Sequence, residues 1–140
     1  MPAPIRYDFS IPLRVAFGDM DALGHVNNVT YARYFETARA EFMIQMGDLH
    51  GINRPGHLVM IMTRLELDYR GEVVFPAVID ATVGVADISM RRMVLACTMW
   101  NKEGRCVADG RSTHMWIDVE KRTAVRMPEE FRRIAEQYKK

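Results

Sequence analysis

The sequence predicts an α+β domain in which a curved antiparallel sheet of five or six strands wraps one long central helix. Three observations predict it. Apolar residues recur at helical spacing over Val29–Met46, round most of the helix circumference. From Thr63 to Asp118 the chain runs in strand-length segments that alternate or stay apolar. Turn residues, rather than further helices, separate those segments. Strands gathered round one apolar helix make an α+β layer. A chain of 140 residues holds one good core more readily than two, so 1–140 is read as a single domain.

Residues 1–10, with Pro2 and Pro4, read as an extended arm. Ile11–Phe17 reads as a first strand with Ile11, Leu13, Val15 and Phe17 on one face, followed by a turn-rich loop over 18–28. In the helix, Tyr31, Phe35, Ala38 and Phe42 form one face, and Tyr34, Met43 and Met46 widen it, as in a helix enclosed by other structure. Gly47 is its natural stop. Thr63, Leu65, Leu67 and Tyr69 alternate with charged residues as in a half-buried strand. Ala77–Asp87 is a third strand, and Met90–Trp100 and Arg105–Asp118 pair as a hairpin across Asn101-Lys102-Glu103-Gly104. The small residues Cys106, Ala108, Gly110 and Ser112 share one face of the last strand and let a helix lie close. Pro128 opens a short final helix, acidic at its start and basic near its end.

Composition narrows the function. A net charge of +1 gives no field that would attract nucleic acid or an anionic membrane. No apolar run reaches the ~20 residues of a membrane helix, and the N-terminus has no charged-then-apolar leader. Cys97 and Cys106 lack metal-ligand spacing and read as two thiols in a reducing cytosol. Eleven Met residues suit a plastic core or a pocket for a flexible chain. A single sheet over a single helix leaves an edge strand free to pair with a second copy, so a homodimer or homotetramer is expected.

The stretch Gly18 to Arg39, GDMDALGHVNNVTYARYFETAR, closely resembles the hotdog-fold acyl-CoA thioesterases, in the branch that includes hydroxybenzoyl-CoA thioesterase. Arg64–Tyr69 resembles that family's second strand, and Asp118–Glu130 its approach to the last helix. The resemblance implies a helix "sausage" in a sheet "bun", dimers joined edge to edge, active sites at the dimer interface, and metal-free hydrolysis of an acyl-CoA, with coenzyme A as part of the substrate and no cofactor. It places the catalytic carboxylate at the second Asp of the motif, Asp21. After Gly24 this chain has His25-Val26-Asn27-Asn28 where the hydroxybenzoyl-CoA enzyme has an aromatic segment; related thioesterases share this version.

Thioester hydrolysis requires a nucleophile or a general base, and donors for the oxyanion. Asp21 is the candidate for the first role; as a residue type alone it equally suits a turn or a helix cap. The backbone N–H of Asn28, at the helix N-terminus, is the candidate donor, since the first amides there have no intrahelical partner. One of Asn27 and Asn28 is expected to cap the helix. His25 either assists catalysis or bonds a loop carbonyl. Asp19 is expected to bond loop amides or pair with Arg14, and Glu36 to form a buried or half-buried ion pair between Arg33 and Arg39. A metal on Asp19, Asp21 and His25 lacks a third anchoring cluster. Candidate substrate-binding residues are Asn27, Tyr31, Arg64, Arg91 and Arg92; Lys102, Arg105 and His57 could extend a basic rim for CoA phosphates. For each cation, solvated surface is the alternative. Two other functions use the same scaffold: a thioester hydratase or dehydratase, and a non-catalytic acyl-CoA-binding module.

Overall fold

The computed structural model describes residues 4–47 and 56–139. Six strands and two helices follow in the order β1 (Phe9–Arg14), α1 (Asn28–Gln45), β2 (Leu58–Tyr69), β3 (Val78–Ile88), β4 (Arg92–Trp100), β5 (Cys106–Asp118), β6 (Thr123–Val125) and α2 (Glu129–Glu136). The sheet runs β1-β3-β4-β5-β2, with β6 beside β5. All its ladders are antiparallel. This is the hotdog arrangement, with α1 packed on the sheet's concave face.

The helix begins and ends where the sequence says. Asn27 caps it by accepting the Val29 N–H at 2.8 Å, and Gly47 closes it at φ 77°. Tyr31, Tyr34, Phe35, Ala38, Phe42 and Met43 are buried. The opposite face, with Arg33, Glu36, Thr37 and Glu41, stays exposed, so enclosure is one-sided in a single chain. Gly110 explains the close fit: a Cβ there would stand 2.5 Å from the Glu66 carbonyl oxygen and 3.1 Å from the Phe35 ring. The 101–104 turn is built as expected. Asn101 Oδ1 accepts the amides of Glu103 and Arg105, and Gly104 takes φ 80°.

Four expectations require correction. The first strand ends at Arg14, and Phe17–Asp19 forms a single 3₁₀ turn because Asp19 Oδ2 takes the Ala16 N–H at 2.8 Å. Phe17 is therefore 75% exposed and stacks edge-on against Phe75 rather than facing the core. The second strand starts five residues earlier than Thr63, bulges between Met62 and Arg64, and is exposed along most of its length because it is the sheet's edge. Glu36 is 72% exposed; Arg39 lies 3.7 Å from it while Arg33 turns to Asp19. The short β6 has no signal in the sequence: three residues are too few for a period. Cys97 and Cys106 are free thiols, their acidity lowered by burial.

Candidate active site

The polar junction between β1 and α1 is assembled by hydrogen bonds of short range. The loop doubles back at an antiparallel bridge between Met20 and Val26, with the Asp21 N–H donating to the His25 carbonyl at 3.0 Å. Gly24, at φ 90°, completes the reversal. The loop is then tied down at both sides: the Val26 N–H donates to the Val73 carbonyl at 2.8 Å, and the Asn27 N–H to the Asp19 carbonyl at 2.9 Å.

Within this frame the two Asp residues behave differently. Asp21 is half-buried; one oxygen accepts the Leu23 N–H at 2.9 Å in an Asx turn. Its other oxygen takes no bond from the described residues. Asp19 is 8% exposed, and its carboxylate accepts from Ala16 N, from the Tyr34 hydroxyl at 2.7 Å and from Arg33 at 2.6 Å. Burial alone would raise the Asp19 carboxyl's pKa; the Tyr34 hydroxyl, the Ala16 amide and Arg33 outweigh it and hold the group below the usual carboxylate range. Burial and the neighbouring carboxylate push the Tyr34 phenol up, so it stays a donor. The expected bond to a loop amide is there, but the partner cation is Arg33, not Arg14. A helix turning its second residue row over the loop decides this, and strand spacing could not reveal it.

At the helix end, the Asn27 side chain is the cap, and the Asn28 N–H meets no acceptor among the described residues. The Asn28 carbonyl accepts the Tyr69 hydroxyl at 3.0 Å. Strand alternation places Tyr69 only on the apolar face of a half-buried strand and cannot show that its hydroxyl reaches the candidate site. The buried Tyr31 ring stands edge-on to Tyr69 and Tyr34 and donates to the Gly71 carbonyl at 3.4 Å, which makes it the wall behind Asn28. His25 is half-buried, with Nδ1 3.5 Å from the Val26 carbonyl.

The candidate cations are not beside this junction. Arg64 pairs with Glu66 on β2, five residues and so about 17 Å along the strand from Tyr69. Arg91 and Arg92 are farther still: Arg92 opposes Met115, which opposes Ile61, about 26 Å of strand from Tyr69. The fold adds a third cation to that end, because the Met127 N–H donates to the Met90 carbonyl at 2.8 Å and brings Arg126 beside Arg91. None of these three arginines forms an ion pair among the described residues. Lys102 and Arg105 instead join Arg14 at a cleft of about 990 Å³ between the 72–79 connection and the β4–β5 hairpin. Asp21 lies outside that cleft but shares its wall, through Val73 and through Phe75, whose N–H meets Met20 Sδ at 3.3 Å. Among the described residues no group of three His, Cys, Asp or Glu is placed to hold a metal, and no helix is long and apolar enough to cross a membrane.

Similar proteins carry the same architecture. The PA5185 protein of Pseudomonas aeruginosa is 27% identical and superposes with a TM-score of 0.82, covering 96% of this chain and 93% of that one. The SAV2348 protein of Staphylococcus aureus, solved in complex with CoA, reaches 0.87 at 19% identity, over 99% and 87% of the two chains. A DHNA-CoA thioesterase from the same organism reaches 0.75 at 19% identity, over 84% and 78%. The family model of the thioesterase-like superfamily matches residues 15–134, from the last buried residue before the polar loop to the final helix, and the chain belongs to that superfamily.

Proposed function

We propose that the protein is a cytoplasmic acyl-CoA thioesterase, a single domain that works as a homodimer or homotetramer and needs no metal or cofactor. One observation carries the reading. One Asp21 oxygen and the Asn28 N–H, neither bonded among the described residues, belong to one hydrogen-bonded junction; the first can attack a thioester or activate water, and the second can bind an oxyanion. The helix N-terminus adds partial positive charge where the thioester oxygen becomes negative. Either Asp21 attacks the carbonyl carbon, the C–S bond breaks to release CoA thiolate, and water cleaves the resulting anhydride; or Asp21 takes a proton from the water that attacks directly. Both routes end in the free acid and CoA.

Two further features support the reading. One similar protein was solved with CoA, and another is a CoA thioesterase. In addition, the chemical junction and the free arginines lie at opposite ends of one sheet, whose β2 edge exposes Ile61, Met62, Leu65 and Tyr69. Antiparallel pairing of two β2 edges would set the partner's Arg91, Arg92 and Arg126 toward Asp21, where they can hold CoA phosphates while Asn27 and Tyr31 shape the thioester end. The test is release of free CoA from a panel of acyl-CoAs, wild type beside Asp21→Asn. Release by wild type alone supports the assignment. Equal release by the variant removes Asp21 from it, and hydration of an enoyl-CoA in place of release favours the hydratase chemistry.

A further inference from the structure

We propose that Asp19 is a positioning residue: its buried carboxylate, held by Tyr34 and Arg33, fixes Asp21 and the Asn28 N–H relative to each other. The inference rests on the thioesterase reading. Its basis is connectivity. The Asp19 side chain bonds the chain just beyond the first strand at Ala16 and the second turn of α1 at Arg33 and Tyr34, while its carbonyl holds the Asn27 N–H. Asp21 leaves this anchor after one intervening residue. Asn28 follows directly on the amide that the anchor binds. Thus both groups assigned to the chemistry hang on atoms bound to one residue.

The residue type fits the task. A buried side chain that accepts three hydrogen bonds, one from a backbone amide, one from a phenol and one from a guanidinium, suits an ionised carboxylate, which accepts at both oxygens and donates nowhere. An Asn there would turn an NH₂ toward Arg33 or toward the Ala16 and Tyr34 donors. A buried charge costs desolvation, and stability alone is served as well by apolar packing. What the charge provides here is direction: it orients a loop that has no core side chain between Met20 and Val26. Tyr69, donating to the Asn28 carbonyl, braces the same residue from the sheet side.

The test compares Asp19→Asn and Tyr34→Phe with wild type in acyl-CoA hydrolysis and in amide hydrogen exchange. A displacement near 1 Å at a reacting group costs up to about a hundredfold in rate. Asp19→Asn should therefore lower kcat by about tenfold to a hundredfold with KM nearly unchanged, and Tyr34→Phe, which removes one donor, should do the same to a smaller degree. Exchange should quicken at Leu23, Asn27 and Val29 while β3 and β4 keep their protection. Wild-type kcat in both variants overturns the proposal. So does a loss of activity that follows only the unfolded fraction, with exchange quickened throughout the sheet. If Asp19→Asn does not fold, Tyr34→Phe decides alone. If wild type releases no CoA, the thioesterase reading and the catalytic part of the proposal fail together, and local exchange in the variants tells whether the anchor itself is real.

Discussion

The two ends of the sheet are built on opposite principles. At the loop end, polar groups are committed to fixed partners, Asp19 to three donors, Asn27 to Val29 and Tyr69 to Asn28, while one Asp21 oxygen and the Asn28 N–H take no bond among the described residues. At the other end Arg91, Arg92 and Arg126 stand near one another with no ion pair among the described residues. The first pattern gives fixed direction, which bond-making needs. The second gives charge without fixed direction, which suffices to attract a mobile phosphate. The comparison teaches that substitutions at the loop end should act on kcat and those at the basic end on KM.

The largest effect is expected at Asp21. Asp21→Asn keeps an oxygen that can accept the Leu23 N–H, so the fold should persist, but removes the carboxylate proposed as base or nucleophile. Steady-state hydrolysis should fall by at least about a hundredfold in kcat, the low end of what a positioned acid–base group contributes. A rise in KM with kcat unchanged would contradict the division between the ends.

Joining the ends is the next target. If a site needs the loop of one protomer and the arginines of its partner, a charge on the exposed β2 edge should separate both protomers and activity. Leu65→Glu should shift sedimentation toward monomer and remove most hydrolysis, with circular dichroism unchanged. A monomer as active as wild type would mean that each end works within one chain. A smaller effect is expected for the double variant Arg91→Glu, Arg92→Glu. With each exposed charge contact worth up to about 1 kcal/mol, KM should rise about tenfold with kcat little changed, and added salt should narrow the gap.

How much of this could be read from the sequence follows from range. The α1 bounds, the Asn101–Gly104 turn and the small-residue face at Ala108–Ser112 depend on period and local turn chemistry, so they were legible. The pairing of Asp19 with Arg33 spans 14 residues, and Tyr69 reaches Asn28 across 41. Contacts of that kind depend on how a helix is laid over a loop, and no period encodes them. Arg126 is the same case: only the Met127–Met90 bond brings it to Arg91. Phe17 misleads because its alternation continues a strand that Asp19 has already ended.

Between the ends lies a buried pair that belongs to neither, and it sets the smallest effect. Ser112 Oγ and His114 Nε2 are 2.7 Å apart under α1, with the largely buried Arg39 guanidinium on the helix side. Burial, and then Arg39, push the His114 pKa down to about 4 from an unfolded value near 6.5. Above 6.5 the ring is neutral in both states and costs nothing. Between 6.5 and 4 the unfolded chain binds the proton and the folded one does not, so stability falls as pH falls. Below 3.8, the ordinary carboxyl value, the unfolded chain also protonates Asp19 while the folded one, its pKa lowered, keeps the charge, which adds a second decline. Chemical denaturation midpoints should thus drop from pH 7 to pH 4.5 in wild type, and His114→Gln, which can still meet Ser112, should flatten that slope. Because the Ser112 and His114 side chains bond each other and no residue of either end, the same variant at pH 7 should leave both kcat and KM near wild type. A change in kcat there would bind the core to the loop end and break the separation between direction and charge.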